Sequence, residues 1–175
     1  MRAGAPTRCA KGSRGASTSR GGSLLVAVVV LLAVSVAARA LAAPAGAIKV
    51  SAAPLAFGSV YTGRTFTGTA TVTVAAPAGL NFQVAVDGGF HFSGGFRHVK
   101  RTNGAETIPY SLFIDQGCTL ALGDAGLGGA FLSGNVVEAT GIGRDELMPI
   151  YGRLMVPDQA PPGVYTDSLM VTVIY

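Results

Sequence analysis

The sequence predicts an all-β fold, a sandwich or barrel, on three observations. Two long stretches alternate with a period of two: Thr65, Thr67, Thr69, Thr71 and Thr73 interleave with Phe66, Gly68, Ala70, Val72 and Val74, and a similar pattern occupies residues 164–175. Between them, short apolar runs recur at regular spacing, bounded by Gly, Pro, Asn and Asp. Charged residues make up only 13% of the chain while Gly, Thr, Val and Ala abound, and helical periodicity is nearly absent, a balance suited to an exported β-protein.

The chain opens on a basic leader with Arg2, Arg8, Lys11, Arg14 and Arg20, followed by an apolar run over residues 24–36 and the small-x-small site Ala40-Leu41-Ala42. Residues 1–42 therefore read as a secretory signal peptide, with Ala38-Arg39-Ala40 as an alternative cut. The apolar run is about 13 residues long, short of the ~20 that a spanning helix needs. On this reading no stable membrane span remains after cleavage. Residues 43–175 form one domain, large enough to hold its own core. They retain seven basic and nine acidic side chains, a formal net charge of −2 in place of +4 for the whole chain. A basic surface able to drive nucleic-acid binding is thereby excluded. Arg97, His98, Lys100 and Arg101 form the one local basic cluster, expected to be solvated.

Taken in order, strands are expected within residues 48–61, 65–74 and 80–86, the last ended by the hairpin chemistry of Asp87-Gly88-Gly89. Further strands are expected within residues 90–99, 108–114, 131–137 and 148–156. Residues 116–143 are rich in glycine and read as loop with short strands of uncertain bounds. Pro161-Pro162-Gly163 makes a turn into the final strand, where Tyr165, Leu169, Val171, Val173 and Tyr175 share one face and Thr166, Ser168, Met170 and Thr172 lie mostly on the other. A last strand with nothing after it is either central already or lacks a neighbour, and a missing neighbour leaves an edge that another chain can fill.

Catalytic chemistry is not expected. His91 and His98, at a spacing of seven, would fall on opposite faces of one strand and cannot chelate a metal together; they read as exposed or edge histidines. Ser111, Ser133 and Ser168 lie in no nucleophile elbow, and Asp145-Glu146 would diverge in a strand. Asp115, Asp124, Asp158 and Asp167 sit beside turns or strand ends, where capping explains them. Gly126-Leu127-Gly128-Gly129 opens no helix and reads as a plain loop rather than a phosphate cradle. Cys9 leaves with the leader, so Cys118 is either a buried small hydrophobe or a thiol able to link subunits. No catalytic residue, metal site or cofactor is predicted.

Four segments, in order, resemble the spore coat protein U domain family of secreted coat proteins and archaic chaperone-usher pilins. They are Pro54-Leu55-Ala56-Phe57-Gly58-Ser59-Val60-Tyr61, then Ile108-Pro109-Tyr110-Ser111-Leu112-Phe113 with Asp115, then Tyr151-Gly152-Arg153-Leu154, and last the ending Pro162-Gly163-x-Tyr165-x-Asp167-x-Leu169-x-Val171-Thr172-Val173-x-Tyr175. The resemblance implies an incomplete immunoglobulin-like β-sandwich of pilin type, open at the strand next to the C-terminal strand. The missing strand would be supplied by a periplasmic chaperone and then by the next subunit. Leu169, Val171, Val173 and Tyr175 would line or border that groove, while Asp167 and Gly163 would serve the turn and the start of the strand. The implied partners are the chaperone, an outer-membrane usher and other subunits, on a route through the periplasm to a surface pilus or coat.

Two departures from the family pattern stand out. Ile48 and Val74 occupy places where the family carries a bridging cysteine pair, so apolar packing replaces a cross-link worth about 2–4 kcal/mol. Residues 43–47, Ala-Pro-Ala-Gly-Ala, make a poor donor strand, with no bulky side chains and one fewer N–H. The leading expectation is a secreted structural subunit without enzymatic activity. The alternatives are a fibre-capping adhesion module that makes contact through Gly88-Gly89-Phe90 or residues 128–133 and, less favoured, a small periplasmic enzyme or ligand binder.

Overall fold

The computed structural model describes residues 26–36, 46–127 and 132–175. Ten β-strands account for the regular structure: β1 (Val26–Val36), β2 (Lys49–Ala52), β3 (Leu55–Val60), β4 (Arg64–Ala75), β5 (Asn81–Val86), β6 (Arg97–Arg101), β7 (Thr107–Phe113), β8 (Val137–Thr140), β9 (Asp145–Val156) and β10 (Val164–Ile174). Hydrogen bonding links them in the order β2-β4-β9-β7-β6-β10-β1-β3, with β5 paired to β10 and β8 to β5. Every strand pair is antiparallel except β1 with β10. The architecture is all-β and matches an incomplete immunoglobulin-like sandwich, as expected.

The threonine-rich stretch becomes β4, which pairs with β9 along its whole length, from Arg64 opposite Val156 to Ala75 opposite Asp145. Its apolar residues Ala70, Val72 and Val74 are buried, and the alternate threonines stay partly exposed, the pattern of a sheet with one face on the core. In β10 the same rule holds more strictly: Tyr165, Asp167, Leu169, Val171 and Val173 are all buried, and Val164, Ser168 and Met170 are exposed.

The stretch 48–61 forms two strands rather than one. Pro54 lacks an amide hydrogen and restricts the residue before it, which breaks the ladder at this point. β2 stays beside β4, whereas β3 pairs with β1. β3 also packs across the face of β4 and β9, where the register partners Gly68 and Gly152 leave room for it. A Cβ on Gly68 would stand 2.8 Å from the carbonyl oxygen of Ala56, and one on Gly152 would stand 2.6 Å from Leu55 Cδ2 and 2.9 Å from Phe57 Cζ. Absent side chains at these two positions thus seat Leu55 and Phe57, exposed by only 1% and 7%, in the core.

Residues 90–99 form a strand only in their second half. Ser93 and Phe96 exchange backbone hydrogen bonds of 3.1 and 3.0 Å around Gly94-Gly95, both at positive φ, so a tight turn precedes β6. The strand expected within 131–137 forms instead as β8, antiparallel to β5; residues 128–131 lie outside the described residues. Val74 is fully buried and Ile48 packs half-buried against the same core, which fits apolar filling at both positions. Among the described residues, no helix is long and apolar enough to cross a membrane.

Candidate functional site: the interval between β3 and β10

β10 and β3 do not bond to each other; β1 lies between them and bonds to both. On one side β1 runs parallel to β10, from Ala27 opposite Val164 to Val36 opposite Val173. On the other it runs antiparallel to β3, with Val26 opposite Val60, Val28 opposite Gly58 and Val30 opposite Leu55, and the register shifts between Val28 and Val29. The second edge of β10 is already occupied, by β6 at Tyr165 and Thr166 and by β5 over Val171 to Ile174. β1 is therefore the only strand that pairs β3 with the rest of the sheet among the described residues.

The expected groove residues fall on one continuous row. Leu169, Val171 and Val173 are 0–1% exposed on the core side of β10, with Leu32, Val34 and Val36 of β1 as their register partners. Tyr175 lies past the last β1 pairing and packs half-buried on the core. Sequence reasoning missed the opposite bank, β3, where Leu55 and Phe57 alternate but the pattern slips by one residue before Val60. The apolar run over residues 24–36, read as part of the leader, contains β1, which occupies the interval between the two banks.

Asp167 differs from its expected role at the turn. It is buried within β10, where Tyr110 Oη donates to its Oδ2 at 2.7 Å. The His91 amide donates to Oδ1 at 3.2 Å, and His91 Nδ1 stands 3.0 Å from that same oxygen. Burial, followed by the neighbouring carboxylate, pushes the Tyr110 hydroxyl well above the ordinary phenol range, so Tyr110 remains a neutral donor. Gly89, at φ 81°, lies against the Asp167 carboxylate where any Cβ would collide with it. His91 belongs to this loop and not to a strand shared with His98, and it holds Phe90, 83% exposed, in an edge-on ring contact at 5.2 Å.

Arg97 likewise departs from the solvated cluster expected of it. Only 3% exposed, its guanidinium donates to the carbonyls of Asp87 (2.8 Å), Leu122 (2.9 Å) and Val86 (2.6 Å). Desolvation lowers its pKa against the pull of Tyr110 and nearby carboxylates. The arginine clamps the end of β5 to the loop strand at Leu122. Asp87 completes the junction, its Oδ1 accepting from the amides of Gly89 (3.0 Å) and Met170 (2.9 Å). Elsewhere Asp115 caps its own turn, accepting from the amides of Leu120 and Thr119 and from the Thr119 hydroxyl, and these bonds hold its carboxyl below the usual range. Cys118, 6% exposed in the same turn, is not a free thiol.

The four sequence segments thus meet. Leu55 and Phe57 of the first pack on Gly152 of the third; Tyr110 of the second bonds Asp167 of the fourth and stacks edge-on with Phe57 at 6.4 Å. Tyr165 donates back to the Pro161 carbonyl at 2.9 Å, fixing the turn into β10. The spore coat protein U domain matches the chain over residues 32–172. The chain belongs to the spore coat protein U domain family. The match begins inside β1 and ends inside β10, so it takes in both banks of the interval. Among curated proteins, none matches. The family is one of structural pilin and coat subunits and not of enzymes. No cluster of three potential metal ligands occurs among the described residues.

Proposed function

We propose that the chain is an exported structural subunit of a chaperone-usher surface pilus or of a coat layer, joined to its neighbours by strand addition in the interval between β3 and β10. One observation supports the reading: β10 and β3 do not pair with each other and are bridged only by β1, which lies in the apolar run read as leader. With that place empty, β10 presents unpaired amides and carbonyls from Val164 to Val173 above a row of buried Leu and Val side chains. Such an edge recruits another strand or aggregates. The occupants that fit are the periplasmic chaperone first and the next subunit afterwards, with the usher as the site of exchange.

The groove reading predicts a specific purification behaviour. Processed chain exported to a periplasm is expected either in complex with a strand-donating partner or as aggregate, and to become a soluble monomer when an alternating apolar peptide is added. A stable, soluble monomer whose β3 and β10 edges are closed without any supplied strand would contradict it. A second reading, contact with surfaces at the end of a fibre, is favoured by Phe90 alone, which the His91–Asp167 pairing holds in solvent. Phe90→Ser should then abolish surface adhesion while leaving assembly intact.

A further inference from the structure

The apolar leader segment has a second use. We infer that Val26–Val36 is an intramolecular donor strand: while it remains attached, it fills the interval between β3 and β10 in cis, and its removal opens that interval to a partner. This rests on the groove reading proposed above.

The register supplies the argument. Opposite the buried row Tyr165, Asp167, Leu169, Val171 and Val173 stand Val28, Val30, Leu32, Val34 and Val36, five β-branched or branched aliphatic residues in alternation. Opposite the exposed or half-exposed row stand Ala27, Val29, Leu31, Ala33 and Ser35, which include every small or polar residue between Ala27 and Val36. An export signal needs only mean hydropathy over its apolar run and has no requirement for this period of two. A strand in a half-buried position does, since a shift of one residue would exchange the two rows. Val30 meets buried positions on both banks at once, Asp167 on β10 and Leu55 on β3. By contrast residues 43–47, the chain just before β2, carry neither bulk nor alternation. The segment that fits the interval is therefore the one a signal peptidase would remove. An unprocessed chain is closed to neighbours and a processed one is open, which ties competence for assembly to export.

The test uses the full chain made without export, so that the leader stays attached. Hydrogen exchange of residues 26–36 should be slowed at least roughly hundredfold relative to a free peptide of that sequence, in a monomer. A labelled peptide carrying residues 26–36 between lysine tails should fail to bind this chain and should bind the Leu32→Asp, Val34→Asp variant one to one. Free-peptide exchange rates in an otherwise folded wild-type chain would overturn the inference, as would protection found only in dimers or longer assemblies. Equal peptide uptake by wild type and variant would overturn the cis strand and leave the groove standing. No uptake by either, with residues 26–36 unprotected, would remove both. Should the variant fail to fold, exchange in the wild-type monomer decides alone.

Discussion

Arg97 shows how a single residue can be misread when composition is the guide. Beside His98, Lys100 and Arg101 it looks like part of a solvated patch, but three of its five N–H donors, one on each nitrogen, satisfy the carbonyls of Asp87, Leu122 and Val86. Arg97→Ala should lower unfolding stability by about 2–4 kcal/mol, read from urea transitions of the full chain, because three acceptors lose a charged donor. Tyr110→Phe removes one hydroxyl from buried Asp167 and should cost about 1–3 kcal/mol by the same measurement. The glycines of the sandwich face make a paired prediction. Gly152→Ala and Gly68→Ala both overpack the core, by about 1–3 kcal/mol. Gly68→Ala should be the worse, since its obstacle is the Ala56 backbone and not the tip of a side chain. Asp115 adds a pH dependence. Its folded pKa is depressed, so its contribution is present above the unfolded carboxylate pKa and is lost as pH falls through the folded value. Amide exchange at Thr119 and Leu120 should accelerate in that acid window, and Asp115→Ala should remove the dependence.

At the scale of elements, the strands legible in the sequence were those whose alternation reflects one wet and one dry face: β4, β5, β7, β9 and β10. What stayed hidden was decided by contacts remote in sequence. The break at Pro54 was visible as a residue type, but that β3 would leave its neighbour β2 for the opposite layer depends on the Gly68 and Gly152 slots, 84 positions apart. Asp167 looked like a turn residue because it follows Pro162-Gly163; its burial follows from Tyr110, which no local pattern connects to it. β1 was hidden for a different reason. A run of Val, Leu and Ala satisfies both an export signal and a buried strand, and its division into two rows becomes visible only against the β10 register. Of the candidate site, the buried row of β10 was legible from alternation, and the β3 bank was not.

For the whole molecule, β3 pairs with the rest of the sheet only through β1 among the described residues. Without β1 the path β2-β4-β9-β7-β6-β10 remains continuous, with β5 and β8 attached, and β3 keeps only its side-chain packing on β4 and β9. The expected state of the processed chain is thus a folded body with an open edge, a form that needs a partner. The most direct measurement is hydrogen exchange of the processed chain, followed at Val164–Ile174 and Leu55–Val60 before and after an apolar donor peptide is added. The account predicts fast exchange at the β3 and β10 edges alone, followed by protection of both on binding one peptide. Full protection of β10 and β3 in a monomer without any added strand would contradict it.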